Sequence, residues 1–298
     1  MQLMMLFLKN LLIDFPRTVI GELKNNSNRY DKRFMRVLAK TPFNVFFLKM
    51  YLFFFKKKNK VNLISNKNLF IGLEDRKKIL KDIEKLGIFK GFHLKEEVLN
   101  ELLENIQNKK FSINRETDQK ILLSDKKEND GVYICRYLNP HKDIKIVNDI
   151  AYNQKLIEVA ANYFQTNPIV QSTPIWWTYN NSDKNGNSIN PPGNEFGYHY
   201  DVDDFKFLKL FIYLTNVDEK SGPHYFVKKN GKKKFNEYVN RRISDDEVLK
   251  RYNARIILIK GEKGTSFIED TSYYHKGSNP EKNNSRGILQ VIYGISEW

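Results

Sequence analysis

At 298 residues, with 41% hydrophobic and 13% aromatic side chains, the chain is long enough to bury a core and too apolar to be wholly disordered. Its formal net charge of +15 is concentrated at the start: residues 1–60 hold 13 Lys or Arg against 3 acidic residues, a net of +10. The single cysteine, Cys135, excludes an intrachain disulfide and fits a reducing, cytoplasmic setting.

The apolar start, residues 1–8, is followed by Lys9 and Asp14 and lacks the order of a secretory signal. A second apolar run, residues 43–55, is interrupted by Lys49 and followed by Lys56, Lys57, Lys58 and Lys60. It falls short of the roughly 20 residues that cross a bilayer. Two readings fit residues 1–60: a buried helix with a solvated basic end, or a helix in peripheral contact with an anionic membrane surface. Residues 1–125 as a whole read as a basic, mainly helical region that packs on or precedes the remainder of the chain. Apolar residues at three and four spacing predict helices over 76–86 and 94–106.

From about Gly131 the texture turns to short β-rich runs, so residues 126–298 are expected to form a mainly β core flanked by helices. Candidate strands cover 132–138, 169–179, 196–201, 208–217, 224–228, 256–260, 265–269 and 287–293, with Gly, Pro and Asn turns between them. Eight such strands suggest a sandwich or barrel. Cys135 reads as a small core residue within the first of them. One helix interrupts the series over 244–252, where Ser244 and Glu247 have capping-box spacing. The stretch 180–194, rich in Asn, Ser, Gly and Pro, reads as a long loop of the kind that gates a site.

The chemistry points to Tyr198-His199-Tyr200-Asp201. On a strand, residues i and i+2 share a face, so His199 and Asp201 project together while the two tyrosines turn away. An imidazole beside a carboxylate supplies two adjacent metal ligands, and a second imidazole completes a two-His-one-carboxylate set with three positions open. Alone, a His-x-Asp triplet is weak evidence. His93 and His141 precede the β-rich part, whereas His224 and His275 lie at strand ends, and Arg286 follows His275 by eleven residues. A guanidinium there suits two-pronged recognition of a carboxylate.

The stretches HYDVDDFKFLKLFIYLTNVDEKSGPHYFV, from His199, and HKGSNPEKNNSRGILQVIYG, from His275, resemble the phytanoyl-CoA dioxygenase family of iron(II)/2-oxoglutarate oxygenases. The resemblance covers about residues 130–298. It implies a double-stranded β-helix, a jelly-roll barrel with the metal inside its open end. Carried over residue by residue, it implies His199, Asp201 and His275 as iron ligands and Arg286 as the partner of the distal carboxylate of 2-oxoglutarate. Relatives use the strand corresponding to 169–179 for cosubstrate or substrate, which makes Gln171, Trp177 and Tyr179 candidates, core packing being the other reading. Lys209, Phe211 and Tyr213 alternate with Leu208, Leu210, Ile212 and Leu214, and either face could look inward.

The implied cofactors are Fe(II), 2-oxoglutarate and O2. The implied reaction is hydroxylation of an unactivated C–H of a small or carrier- or glycan-linked metabolite, with release of succinate and CO2. Halogenating relatives replace the carboxylate ligand with a small residue, and Asp201 argues against that outcome. Two other readings are a non-catalytic barrel acting as a binding module and a cupin-type metalloenzyme that does not use 2-oxoglutarate. With no zinc-finger spacing, glycine-and-aromatic RNA motif or basic heptads, no nucleic-acid partner is expected.

Overall fold

The computed structural model describes residues 65–296 apart from 115, 117, 128–130, 184, 190–195 and 232–239, and before them only Ala39, Phe46, Leu48 and Lys49. The basic stretch read from residues 1–60 therefore lies almost entirely outside the described residues, as does part of the loop 180–194. Among the described residues, no helix is long and apolar enough to cross a membrane.

The strands are β1 (Phe70–Ile71), β2 (Ile88–Leu94), β3 (Phe111–Ile113), β4 (Lys120–Ile121), β5 (Ile134–Tyr137), β6 (Ile169–Ser172), β7 (Ile175–Tyr179), β8 (Tyr198–His199), β9 (Leu208–Tyr213), β10 (His224–Val227), β11 (Arg242–Ile243), β12 (Ile256–Ile259), β13 (Thr265–Glu269), β14 (His275–Gly277) and β15 (Ser285–Gly294). The helices are α1 (Arg76–Leu86), α2 (Glu96–Gln107), α3 (Lys145–Ala151), α4 (Gln154–Phe164) and α5 (Asp245–Tyr252). All strand pairing in the two sheets is antiparallel. The larger sheet runs β1-β2-β13-β9-β15-β7-β5-β3-β4, with β6 also on β15, and the smaller runs β11-β8-β14-β10-β12. This is the expected jelly-roll architecture, made as two sheets rather than one closed barrel.

Alternation along the central strands explains the layering. Leu208, Leu210 and Ile212 of β9, Leu289, Val291 and Tyr293 of β15, and Ile175 of β7 all enter one cluster. Helices α1 to α4 bury Ile79, Ile83, Leu99, Leu102, Val147 and Ile157 against the same cluster, which covers the outer face of the larger sheet. Phe211 and Tyr213 of β9, Phe267 of β13 and Ile288 of β15 point the other way, into a second cluster shared with Phe226 of the smaller sheet. The inner face of the larger sheet is thus left to meet the smaller sheet and the polar site.

Local signals account for several boundaries. Ser244 caps α5 by accepting from the Glu247 backbone N–H at 3.2 Å, as its spacing predicts. Asp75 caps α1 by accepting from Lys78 N–H at 3.0 Å, and Gly87, at φ 80°, ends it so that the chain turns directly into β2. Three expectations need correcting. The run 169–179 is two strands, because Pro174 has no N–H to continue the ladder, and its carbonyl instead accepts from Gln290 N–H at 2.9 Å. The run 196–201 keeps only Tyr198–His199 as strand. Strands also occur before residue 126, and β2 joins the larger sheet between β1 and β13, next to its edge. There Gly91, at φ 99°, lies opposite a register shift between Ser266 and Phe267, and this bulge breaks the period-two pattern that would have revealed a strand.

Candidate metal centre

β8 and β14 are neighbours in the smaller sheet, and His199 and His275 are directly opposite in their register. Opposed residues project from the same face, which brings the imidazoles together, ring centroids 4.6 Å apart. Asp201 lies just past the end of β8, held by its N–H to Thr271 O at 2.7 Å. Tyr198 and Tyr200 turn away into a separate apolar cluster with Tyr274, as strand alternation predicts. One donor atom from each of His199, Asp201 and His275 lies within 4.8 Å of the others.

Both rings are oriented in the same way. His199 Nδ1 is 2.9 Å from Gly197 O, and His275 Nδ1 is 2.9 Å from Tyr273 O. A carbonyl only accepts, so each Nδ1 carries a proton and each Nε2 is the ring atom placed to ligate a metal. His275 Nε2 is 3.3 Å from Asp201 Oδ2, and His199 Nε2 is 3.9 Å from Oδ1. Burial, followed by the neighbouring His275, pushes the His199 pKa down to about 3, which keeps it neutral and able to ligate.

The carboxylate is anchored from behind. Lys209 of β9, itself buried, donates to Asp201 Oδ2 at 2.6 Å and pairs with Asp203 Oδ2 at 2.8 Å. Burial pushes the Asp201 carboxyl up, but Lys209, His275 and His199 outweigh it and hold it well below the usual carboxylate range. For Lys209, the two carboxylates likewise outweigh burial and raise its pKa.

These groups open into a cavity of about 400 Å³ between the two sheets, a volume suited to a small organic molecule. Arg286 of β15 lines it, 8% exposed. Its Nη1 donates to Gly222 O, whereas its Nε is buried with no hydrogen-bond partner, and burial lowers its pKa. Gly277 leaves room for this fork: a Cβ there would stand 2.5 Å from Arg286 Nη2. His224 also lines the cavity, with its Nε2 2.9 Å from the fully buried carboxylate of Glu269. It is not a member of the donor cluster.

Three sequence candidates fall elsewhere. Trp177 and Tyr179 pack against the outer core, and Gln171 Nε2 donates to Asp204 Oδ2 at 2.9 Å and Ser296 O at 2.8 Å, tying down the end of the chain. The face of β7 that meets the cavity carries Trp176 and Thr178 instead. Both faces of this strand bear large side chains, so polarity did not distinguish in from out. On β9 the inward face is that of Lys209 and Phe211. Lys209 had a legible signal, a charge inside an otherwise apolar run that must be paired if buried. Arg241, Arg242 and Glu269 had none.

No protein-family model matches the sequence, and no curated protein matches it. Solved structures share the fold. HygX from Streptomyces hygroscopicus, with nickel and 2-oxoglutarate bound, aligns with a TM-score of 0.50 at 10% identity, over 74% of this chain and 89% of that one. EctD from S. alaskensis with bound Fe aligns with a TM-score of 0.50 at 13% identity, over 74% and 80%. EctD with 2-oxoglutarate and 5-hydroxyectoine gives 0.50 at 12%, over 72% and 74%. At such identities the likeness is one of fold.

Proposed function

We propose that this protein is an Fe(II)- and 2-oxoglutarate-dependent oxygenase, close to the phytanoyl-CoA dioxygenase family, that hydroxylates an unactivated C–H of a small or carrier-linked metabolite. One observation carries the reading: a His-Asp-His donor set and a buried guanidinium share a single cavity. The donor set suits a divalent metal with open positions, and two neutral imidazoles with one carboxylate suit iron(II) in particular. Arg286 fits the cosubstrate because a buried guanidinium with an unpartnered Nε is costly until an anion answers it. A dicarboxylate that chelates the metal at one end and meets Arg286 at the other answers it. HygX holds nickel and 2-oxoglutarate, and EctD holds Fe or 2-oxoglutarate, on this fold.

When bound, iron and 2-oxoglutarate supply the oxidising chemistry: one atom of O2 goes to succinate, formed with loss of CO2, and the other to the substrate as hydroxyl. The rest is positional work by the chain. The Gly197 and Tyr273 carbonyls hold His199 and His275 in the tautomer that ligates. Lys209 keeps Asp201 ionised and in place, so that no halide takes its position. Phe211, Trp176 and Ile288 provide apolar walls that exclude water and seat the carbon to be oxidised.

The test is spectroscopic. Oxygen-free protein given iron(II) and 2-oxoglutarate is expected to develop the weak visible charge-transfer band of the chelate. His199→Ala should abolish it. Arg286→Ala should keep it only at about tenfold to hundredfold more 2-oxoglutarate, the worth of about 1.5–3 kcal/mol for a charge-assisted pair. Metal-loaded wild-type protein with no band and no calorimetric binding of 2-oxoglutarate would end this reading and leave the barrel as a binding module.

A further inference from the structure

Arg286 owes its position to a socket made by the facing sheet. His275 of the donor set and Gly277 are two apart on β14 and so share its inward face. The guanidinium rests on that glycine: a Cβ at 277 would stand 2.5 Å from Nη2, 2.9 Å from Nη1 and 3.1 Å from Cζ of Arg286. Gly277 does not take a positive φ, so its backbone conformation suits any residue. What the position demands is the lack of a side chain, at a point of close approach.

Two further groups close the socket. Arg286 Nη1 donates to Gly222 O. The segment carrying that carbonyl is tied to the end of β14, where the Ser278 N–H and Oγ donate to Pro223 O at 3.0 and 2.9 Å. His224 is directly opposite Gly277 in the β10–β14 ladder and stands beside it on the same face. Its ring is braced from the larger sheet by Glu269, at 2.9 and 3.1 Å, and flanked by Phe211 and Phe267 at centroid distances of 5.2 and 5.3 Å. A fork lifted off Gly277 therefore moves into the cavity, the volume that the cosubstrate would fill. One strand carries both the ligand His275 and the seat of Arg286, about 6.5 Å apart along its backbone, so the cation has a fixed reach from the donor set.

We infer that Gly277 is a specificity-determining residue: by seating Arg286 on the backbone of β14 it sets the cosubstrate length, admitting the five-carbon 2-oxo diacid over its four- and six-carbon homologues. The inference rests on the oxygenase reading and gives that site a determinant outside the donor set.

The experiment titrates oxaloacetate, 2-oxoglutarate and 2-oxoadipate into oxygen-free, full-length protein loaded with iron(II), followed by calorimetry. Wild-type protein should bind 2-oxoglutarate at least about tenfold tighter than either homologue, the usual worth of one methylene in a fitted site. In G277A the displaced fork should weaken 2-oxoglutarate by about tenfold to hundredfold and the shorter oxaloacetate by less, so that the preference moves toward four carbons. A lysine has no fork to meet the added methyl group. In an R286K background, G277A should therefore change 2-oxoglutarate affinity by less than about twofold. An equal loss from G277A in the Arg286 and R286K backgrounds, or a length preference the same in wild type and G277A, would overturn the inference. Thermal melting gives the same comparison in stability: any drop caused by G277A should be restored by adding R286K, and a G277A chain that fails to fold in both backgrounds would place the clash elsewhere and overturn the inference. Wild-type protein that shows the chelate band yet binds all three diacids alike would overturn this inference alone, whereas no band and no binding of any diacid would end the oxygenase reading with it.

Discussion

Lys209 shows how a single residue ties core to site. It occupies an inward position of β9 in a strand whose other face is Leu208, Leu210 and Ile212, and its ammonium reaches both Asp201 and Asp203. A charge so placed is tolerated only with close partners, and its loss would leave two partly buried carboxylates without their shared cation. Lys209→Met should therefore destabilise the metal-free protein by about 3–5 kcal/mol in urea unfolding. A divalent metal supplies the charge that the variant lacks, so the deficit should shrink when unfolding is repeated with manganese(II). An equal deficit with and without metal would mean that Lys209 acts on packing rather than on the ligand. At this scale the sequence was strong on identity and weak on direction. His199, Asp201, His275 and Arg286 all reach the cavity, whereas for β7 the adjacent tryptophans exchange places: Trp177 is core and Trp176 is wall.

The elements owe their placement to few but specific ties. Asp149 of α3 accepts from Lys145 one turn earlier and from Lys67, each at 2.9 Å, and so pins the segment before β1 onto the helix layer. Burial pushes its carboxyl up, but the two ammonium groups prevail and its folded pKa lies below 3.8. A depressed carboxyl contributes stability that is fully present above the unfolded value and is lost as pH falls through the folded one. Asp149→Asn should accordingly cost about 1 kcal/mol at pH 7, as a partly screened pair would. The difference from wild type should vanish at acid pH, below that depressed value, in unfolding followed by circular dichroism. A pH-independent difference would assign the effect to packing. The same scale explains why β2 went unread, since Gly91 disrupts its alternation, and why α1 and α5 were legible, since their periodicity and caps are local.

Taken as a whole, the molecule divides its labour between two faces of one sheet. The outer face meets helices and carries the stabilising core. The inner face meets a small sheet across a polar cavity and buries charged groups at some energetic cost. Ligands that neutralise that cavity should strengthen the fold. Iron(II) at about 100 times its dissociation constant should add about 2.7 kcal/mol to unfolding, and 2-oxoglutarate on the same terms a like amount. Differential scanning calorimetry without oxygen would record both increments as rises in Tm. Arg286→Ala should keep the first and lose most of the second. A cosubstrate increment undiminished in that variant would detach Arg286 from cosubstrate binding.

From the sequence alone came the mainly β class, the helices whose periodicity and caps are local, and the four residues, His199, Asp201, His275 and Arg286, that meet at the cavity. These are properties of short stretches, where side-chain period and ligand type are written directly. Tertiary structure decided which face of β7 and β9 looks inward, how the strand run breaks at Pro174, and that Lys209, His224, Glu269, Arg241 and Arg242 surround the donors. Those outcomes depend on which strands become neighbours. His199 meets Arg242 and His275 only because β8 lies between β11 and β14, a pairing between residues far apart in the chain that no local pattern encodes.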